Sequence, residues 1–85
     1  MTDSTITIDA TSAVIEKRMI AFGGVVDGDD HKFIMSIADF AHFGVENAKA
    51  DPIGAVKVIS ANLATMIGEK IRKDELLPTT KLAAL

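Results

Sequence analysis

The amino-acid sequence predicts an all-α fold, in which a short N-terminal helix precedes a long antiparallel helical hairpin. Two observations carry this prediction. The dipeptide Asp51-Pro52 is a helix start signal, because aspartate is a favoured N-cap and proline fits the first helical position. On either side of it, apolar residues recur at the three- and four-residue spacing of amphipathic helices. Since the connection is tight, the two flanking helices should be antiparallel neighbours.

The first predicted helix covers residues 10–22. Gly23-Gly24 supplies the stop at its C-terminal end. The apolar residues of this helix do not form one stripe: Ile15, Met19 and Phe22 share a face, and others point away from it. A helix that is apolar on several sides is surrounded by other elements, so we expect a neighbouring subunit to cover part of it.

The hairpin consists of a second helix, residues 31–50, and a third helix that begins at Pro52 and ends near Lys73 or at Leu77. Residues 10–77 therefore form a three-helix domain. Residues 1–9 are interpreted as an extended arm, with a short edge strand as the alternative because Thr and Ile alternate there. Residues 78–85 are interpreted as a flexible C-terminal tail.

Length and composition favour self-association. A chain of 85 residues has a thin core, and small domains compensate for this with disulfides, metals or oligomerisation. There is no cysteine, whereas 48% of the residues are hydrophobic and the mean hydropathy is +0.28. The net charge of −3 argues against nucleic acid and anionic membranes as partners. We found no secretory signal or membrane-spanning segment, so a cytoplasmic protein is expected.

Two surfaces are predicted to form an interface with a second copy or with another protein. Phe43 falls on the polar face of the second helix, so we expect it to pack on the first helix, on a second copy or on another protein. On the back of the third helix, Gly54, Ala61 and Gly68 recur every seven residues and permit close helix packing. The full set of predicted interface residues is Ile15, Met19, Phe22, Met35, Phe43, Gly54, Val58, Ala61 and Gly68.

Two clusters resemble metal sites in residue type only. The acidic loop at residues 27–31 lacks the glutamate that ends a calcium-binding loop, and Ala38 stands at that position. The cluster of Asp39, His42 and Glu46 lies on a polar helix face and lacks carboxylates from facing helices. We therefore predict neither a metal nor a cofactor.

The sequence contains no nucleophilic constellation or phosphate-binding loop, so we do not expect an enzyme. The leading hypothesis is a homo-oligomeric inhibitor or adaptor that binds a host protein, since such small chains are common among phage and mobile-element products. The alternative is a binder of an anionic ligand, such as a nucleotide, held between subunits. The residues available for that anion are Lys17, Arg18, Lys70, Arg72 and Lys73.

Overall fold

The computed structural model describes residues 5–83 and shows a mixed α/β fold built on one four-stranded sheet, so the all-α prediction is wrong. In chain order the elements are strands β1 (Ile6–Glu16), β2 (Met19–Val26) and β3 (Asp29–Ser36), helices α1 (Ile37–His42), α2 (Pro52–Val58) and α3 (Ser60–Arg72), and strand β4 (Thr79–Leu82).

The first three strands form an antiparallel meander with two tight turns. Lys17 lies in the left-handed region at φ 58° in the turn between β1 and β2. Asp27 and Gly28 both have positive φ, at 51° and 89°, in the turn between β2 and β3. Positive φ at both central residues matches the twist of the flanking strands, which is why Asp-Gly is favoured in hairpins.

Strand β4 pairs in parallel with β3, with Phe33 opposite Thr80 and Met35 opposite Leu82. A parallel neighbour requires a long crossover, which the segment containing the three helices provides. The order in the sheet is β1-β2-β3-β4, so β1 and β4 are its two edges.

The helices cover one face of the sheet. On that face Phe22 and Phe33 are buried side by side, with their ring centroids 5.6 Å apart. Burying side chains of this size is the dominant favourable contribution in so small a domain. The remaining large core side chains come from β2, β3, β4 and all three helices: Ile20, Met35, Phe40, Val56, Leu63, Ile67 and Leu82.

The first predicted helix is absent because its residues form β1 and β2. Residues 6–9, interpreted as an arm, belong to β1, which makes the strand alternative correct for them. The start of the second predicted helix is β3, and only Ile37–His42 is helical there. Residues 79–82, interpreted as a flexible tail, form β4.

The helix start signal at Asp51-Pro52 is confirmed. The Asp51 carboxylate accepts a hydrogen bond from the Gly54 amide at 3.0 Å, which caps α2. The predicted third helix is divided in two, because Ile59 leaves helical geometry between α2 and α3. Since α1 is short and irregular chain separates it from α2, the predicted antiparallel helical hairpin does not form.

Candidate functional site

A groove of about 280 Å³ lies between α3 and the edge strand β4. Its apolar part includes Met66, which is half-buried, and Leu82, which is fully buried. The remaining lining residues are Glu69, Lys70, Lys73, Glu75 and Ala83. The groove therefore combines apolar side chains with charged groups, as binding sites that fix the orientation of a ligand do.

Hydrogen bonds before β4 position this strand beside the groove. The buried Thr80 hydroxyl accepts from the Leu77 amide at 2.9 Å and donates to the Leu77 carbonyl at 3.0 Å. The same carbonyl accepts from Nδ1 of His31 at 2.9 Å. The Lys32 amide donates to the Pro78 carbonyl at 2.9 Å, which begins the ladder between β3 and β4.

The amide and carbonyl groups of successive β4 residues face alternately toward β3 and away from it. Since the Pro78 carbonyl faces β3 and successive residues of a strand alternate, Thr80 and Leu82 also direct their amides and carbonyls to β3. The amides and carbonyls of Thr79, Lys81 and Ala83 then face away from the sheet. Among residues 5–83 no strand pairs with that side of β4, so this edge presents unpaired donors and acceptors beside the groove.

The charges of the groove are partly paired. Lys70 Nζ lies 3.6 Å from Glu75 Oε1, and Arg72 forms an ion pair with Glu69. The hydrogen bond from Arg72 and its charge, together with the charge of Lys73, hold the pKa of the Glu69 carboxyl below its ordinary value. Within the described part of the chain, Lys73 has no carboxylate at salt-bridge distance. Lys73 is therefore the cation of the groove that can accept a further anionic partner.

The five residues predicted to bind an anion do not meet in one chain. Lys70 and Lys73 line the groove, and Arg72 is held by Glu69. Lys17 and Arg18 form the turn between β1 and β2 and do not contribute to the groove lining. A ligand that needs all five would have to bridge separate surfaces.

The residues predicted to form an interface are divided between the core and the surface. Phe22 and Met35 are buried in the chain's own core, at 2% and 0% exposure. Phe43, Ile15 and Met19 are half-buried, and Phe43 and Ile15 pack against that core. The helical faces used to assign four of these residues do not exist, because Ile15, Met19, Phe22 and Met35 lie in strands.

The small-residue face of the predicted third helix does not form one stripe. Gly54 belongs to the cap of α2, where a Cβ atom would lie 2.2 Å from Asp51 Oδ2. Ala61 and Gly68 lie in α3, beyond the break at Ile59, and Gly68 faces open space. Val58 is 74% exposed, which leaves it available to a partner.

Neither metal-like cluster is assembled into a site. Asp27 lies in the hairpin turn, where its carboxylate accepts from the Thr5 amide at 2.8 Å. Asp39 lies in the first turn of α1, and His42 at its end stacks edge-on against Phe43. Across residues 5–83, no three histidine, aspartate or glutamate side chains lie close enough together to hold a metal ion.

The face of the sheet opposite the helices is only partly polar. Val14, Ala21 and Ile34 lie side by side on β1, β2 and β3, and Val14 is 50% exposed. The ion pair between Lys32 and Glu16, at 3.1 Å, crosses over β2 beside them. The cavity there measures about 160 Å³, and nothing in its lining indicates which ligand would fill it.

Sequence reasoning found Lys70 and Lys73 but missed Met66, Leu82 and the open edge of β4. The available signal for that strand was two consecutive threonines after Pro78, because threonine is enriched in strands. None of the helices described is long and apolar enough to cross a membrane. The comparisons with protein-family models, with curated proteins and with solved structures found no match.

Proposed function

We propose that the protein is a non-enzymatic adaptor or inhibitor that binds an extended segment of another protein along the free edge of β4. The observation that supports this proposal is the position of the groove between α3 and an edge strand. Where an edge strand borders a groove, a peptide can add to the sheet and insert side chains into the groove at the same time.

The two sides of this site have different roles. The outward amides and carbonyls at Thr79, Lys81 and Ala83 would form backbone hydrogen bonds with the added segment, whatever its sequence. Since side chains of a strand alternate between its faces, every second residue of that segment would point into the groove beside α3. The groove lining would then select among segments, whereas the edge would supply affinity common to all of them.

The lining favours an extended segment over a nucleotide. A volume of about 280 Å³ is at the lower limit of small-molecule sites, which start at roughly 300 Å³. Glu69 and Glu75 lie in the same groove as Lys70 and Lys73, so the formal charge of the four side chains sums to zero. A polyphosphate carries several negative charges, and Lys73, which has no ion pair among residues 5–83, could oppose only one of them. A peptide can present a single carboxylate.

The opposite edge of the sheet, strand β1, is less suited to the addition of another strand. The pairing of β1 with β2 shifts between Asp9 and Val14, where a bulge interrupts the strand. A bulge bends the strand and interrupts its ladder, which discourages the addition of another strand along that edge. Strand β4 carries no such interruption in its pairing with β3.

The proposal can be tested with peptides selected on the folded protein from a displayed library of random sequences. Binding should perturb the NMR signals of Thr79, Lys81 and Ala83 and slow the hydrogen exchange of the Lys81 amide. Lys81→Pro removes that amide without removing a bond to β3, and should reduce affinity at least tenfold. Lys81→Ala is the matched control, because it keeps the amide and should bind as the unmodified protein does.

Two results would overturn the proposal. One is that selected peptides perturb residues outside the groove and bind Lys81→Pro unchanged. The other is that the free protein is already a dimer at about 100 μM, a concentration at which micromolar dimers assemble, with the Lys81 amide protected from exchange. In that case the edge of β4 is the interface of a homo-oligomer.

A further inference from the structure

The charges in the groove indicate the chemistry of the segment that would occupy it. Glu69 and Glu75 each have a cationic partner, in Arg72 and Lys70. Lys73 is exposed and has no such partner in the described chain. A ligand carboxylate can therefore bind Lys73 without displacing an existing ion pair, whereas a ligand cation would meet Lys73 with no free carboxylate to oppose it.

The apolar lining places a second requirement on the same segment. Met66 packs against the core from α3 and is half-buried, so part of it is open to a ligand, whereas Leu82 on β4 is fully buried. Methionine is flexible and adapts to side chains of different shape. A polar side chain placed over Met66 would lose water without gaining a partner, so this part of the groove favours an apolar side chain.

Resting on the proposed function, we infer that the bound segment is an acidic, alternating one: it presents a carboxylate to Lys73 and an apolar side chain to Met66. Both groups point from the same face of the added strand, since both contacts lie on the α3 side of β4. The carboxylate can belong to an aspartate or glutamate side chain or to the C-terminus of the partner chain.

Three synthetic peptides distinguish these sources of the carboxylate. The first is acetyl-Val-Thr-Asp-Thr-Val-amide, in which the aspartate and both valines point from one face of the strand. The second carries asparagine in place of aspartate, and the third is the asparagine peptide with a free C-terminal carboxylate. Affinity is measured by NMR titration, with exchange protection of the Lys81 amide as the readout of strand addition. The aspartate peptide should bind about two- to fivefold more tightly than the amidated asparagine peptide, as expected for one exposed ion pair.

A pair of charge-matched variants attributes this difference to Lys73. Lys73→Met removes the cation, keeps the apolar stem, and should bring the two amidated peptides to equal affinity. Lys57→Met makes the same substitution in α2, outside the groove lining, and should preserve the difference. Raising the sodium chloride concentration should reduce the preference for aspartate in the unmodified protein, because the ion pair is exposed to solvent.

The outcomes separate the inference from the proposed function. If the aspartate peptide and both asparagine peptides bind equally and all protect the Lys81 amide, the carboxylate inference is refuted while strand addition stands. A preference for the free C-terminus over its amidated form assigns the carboxylate to a chain end and supports the inference. If none of the three peptides protects the Lys81 amide, the proposed function itself fails.

Discussion

Replacing Gly24 by valine should destabilise the protein, and replacing Gly68 by alanine should stabilise it. Gly24 lies in the middle of β2, opposite Ile8 on one side and His31 on the other. A Cβ atom at this position would lie 3.0 Å from the Phe33 ring and 3.0 Å from the Thr7 carbonyl oxygen. The second contact is with the backbone of a paired strand, which cannot rotate away as a side chain can.

The expected loss can be estimated from these two contacts. Forcing extra carbon atoms into a packed position costs about 2–3 kcal/mol when the neighbours cannot move. Valine restricts the unfolded chain more than glycine does, which returns about 0.5–1 kcal/mol. The net decrease in the free energy of unfolding is then about 1–2.5 kcal/mol, which lowers Tm by about 4–20 °C in a domain of this size.

Gly68→Ala is the control, because it should raise the free energy of unfolding instead of lowering it. It lies inside α3, and a Cβ atom there would contact nothing within 4 Å. Alanine in a helix interior is favoured over glycine by about 0.5–1 kcal/mol, so Tm should rise by about 2–8 °C. Thermal and urea unfolding followed by far-UV circular dichroism measure both changes. A Gly24→Val variant as stable as the unmodified protein would contradict the packing of Phe33 against β2.

Two further predictions concern residues beside the groove. Thr80→Val removes the two hydroxyl hydrogen bonds to Leu77 and should lower the free energy of unfolding by about 1–2 kcal/mol in urea titrations. Thr80→Ser keeps the hydroxyl and should retain most of this stability. An equal loss in both variants would show that the hydroxyl is not responsible. Arg72→Gln should raise the pKa of Glu69 toward its ordinary value, measured by NMR titration. Because the pKa of Glu69 is lower in the folded protein than in the unfolded chain, the stabilisation due to Glu69 is present above its unfolded pKa and is lost as pH falls through its folded pKa. If Arg72→Gln left the pKa of Glu69 unchanged, the assigned cause would be contradicted.

The N-terminal strands were missed for a specific reason. Before the bulge of β1, Ile6 and Ile8 point toward the core, and after it Ala13 and Ile15 do. The bulge thus shifts the alternation from even to odd positions, so residues 6–16 read as one segment show no continuous period of two. The pattern that remains resembles a helix with several apolar sides.

Two glycine-containing segments also lie in different elements from those predicted. Gly23-Gly24, which the sequence predicts to end a helix, lies within β2, where the Gly23 amide donates to the Ser12 hydroxyl at 2.7 Å. Asp27-Gly28, considered as part of an acidic loop, is a hairpin turn flanked by Val26 and Asp29. An Asp-Gly pair between apolar segments indicates a hairpin more strongly than it indicates a helix cap.

Local signals were sufficient where the structure depends on local contacts. The cap at Asp51 involves atoms three residues apart, and the prediction there is correct. The groove depends instead on Leu82 pairing with Met35 across most of the chain. Helix periodicity identified Lys70 and Lys73 as cations near the end of a helix, but only the parallel pairing of β4 brings an open strand edge beside them.

The stability of β4 and the affinity of the proposed site should be linked. Strand β4 has four residues and one neighbouring strand in the described sheet, and the segment before it is fastened by Thr80 and His31. An added segment would give β4 a second ladder of backbone hydrogen bonds. A ligand that binds only the folded strand stabilises it by mass action, and a change that frees the strand from β3 lowers the fraction competent to bind. If the proposed function holds, the Thr80 hydroxyl would therefore contribute to binding without facing the groove, through the position it gives to the edge.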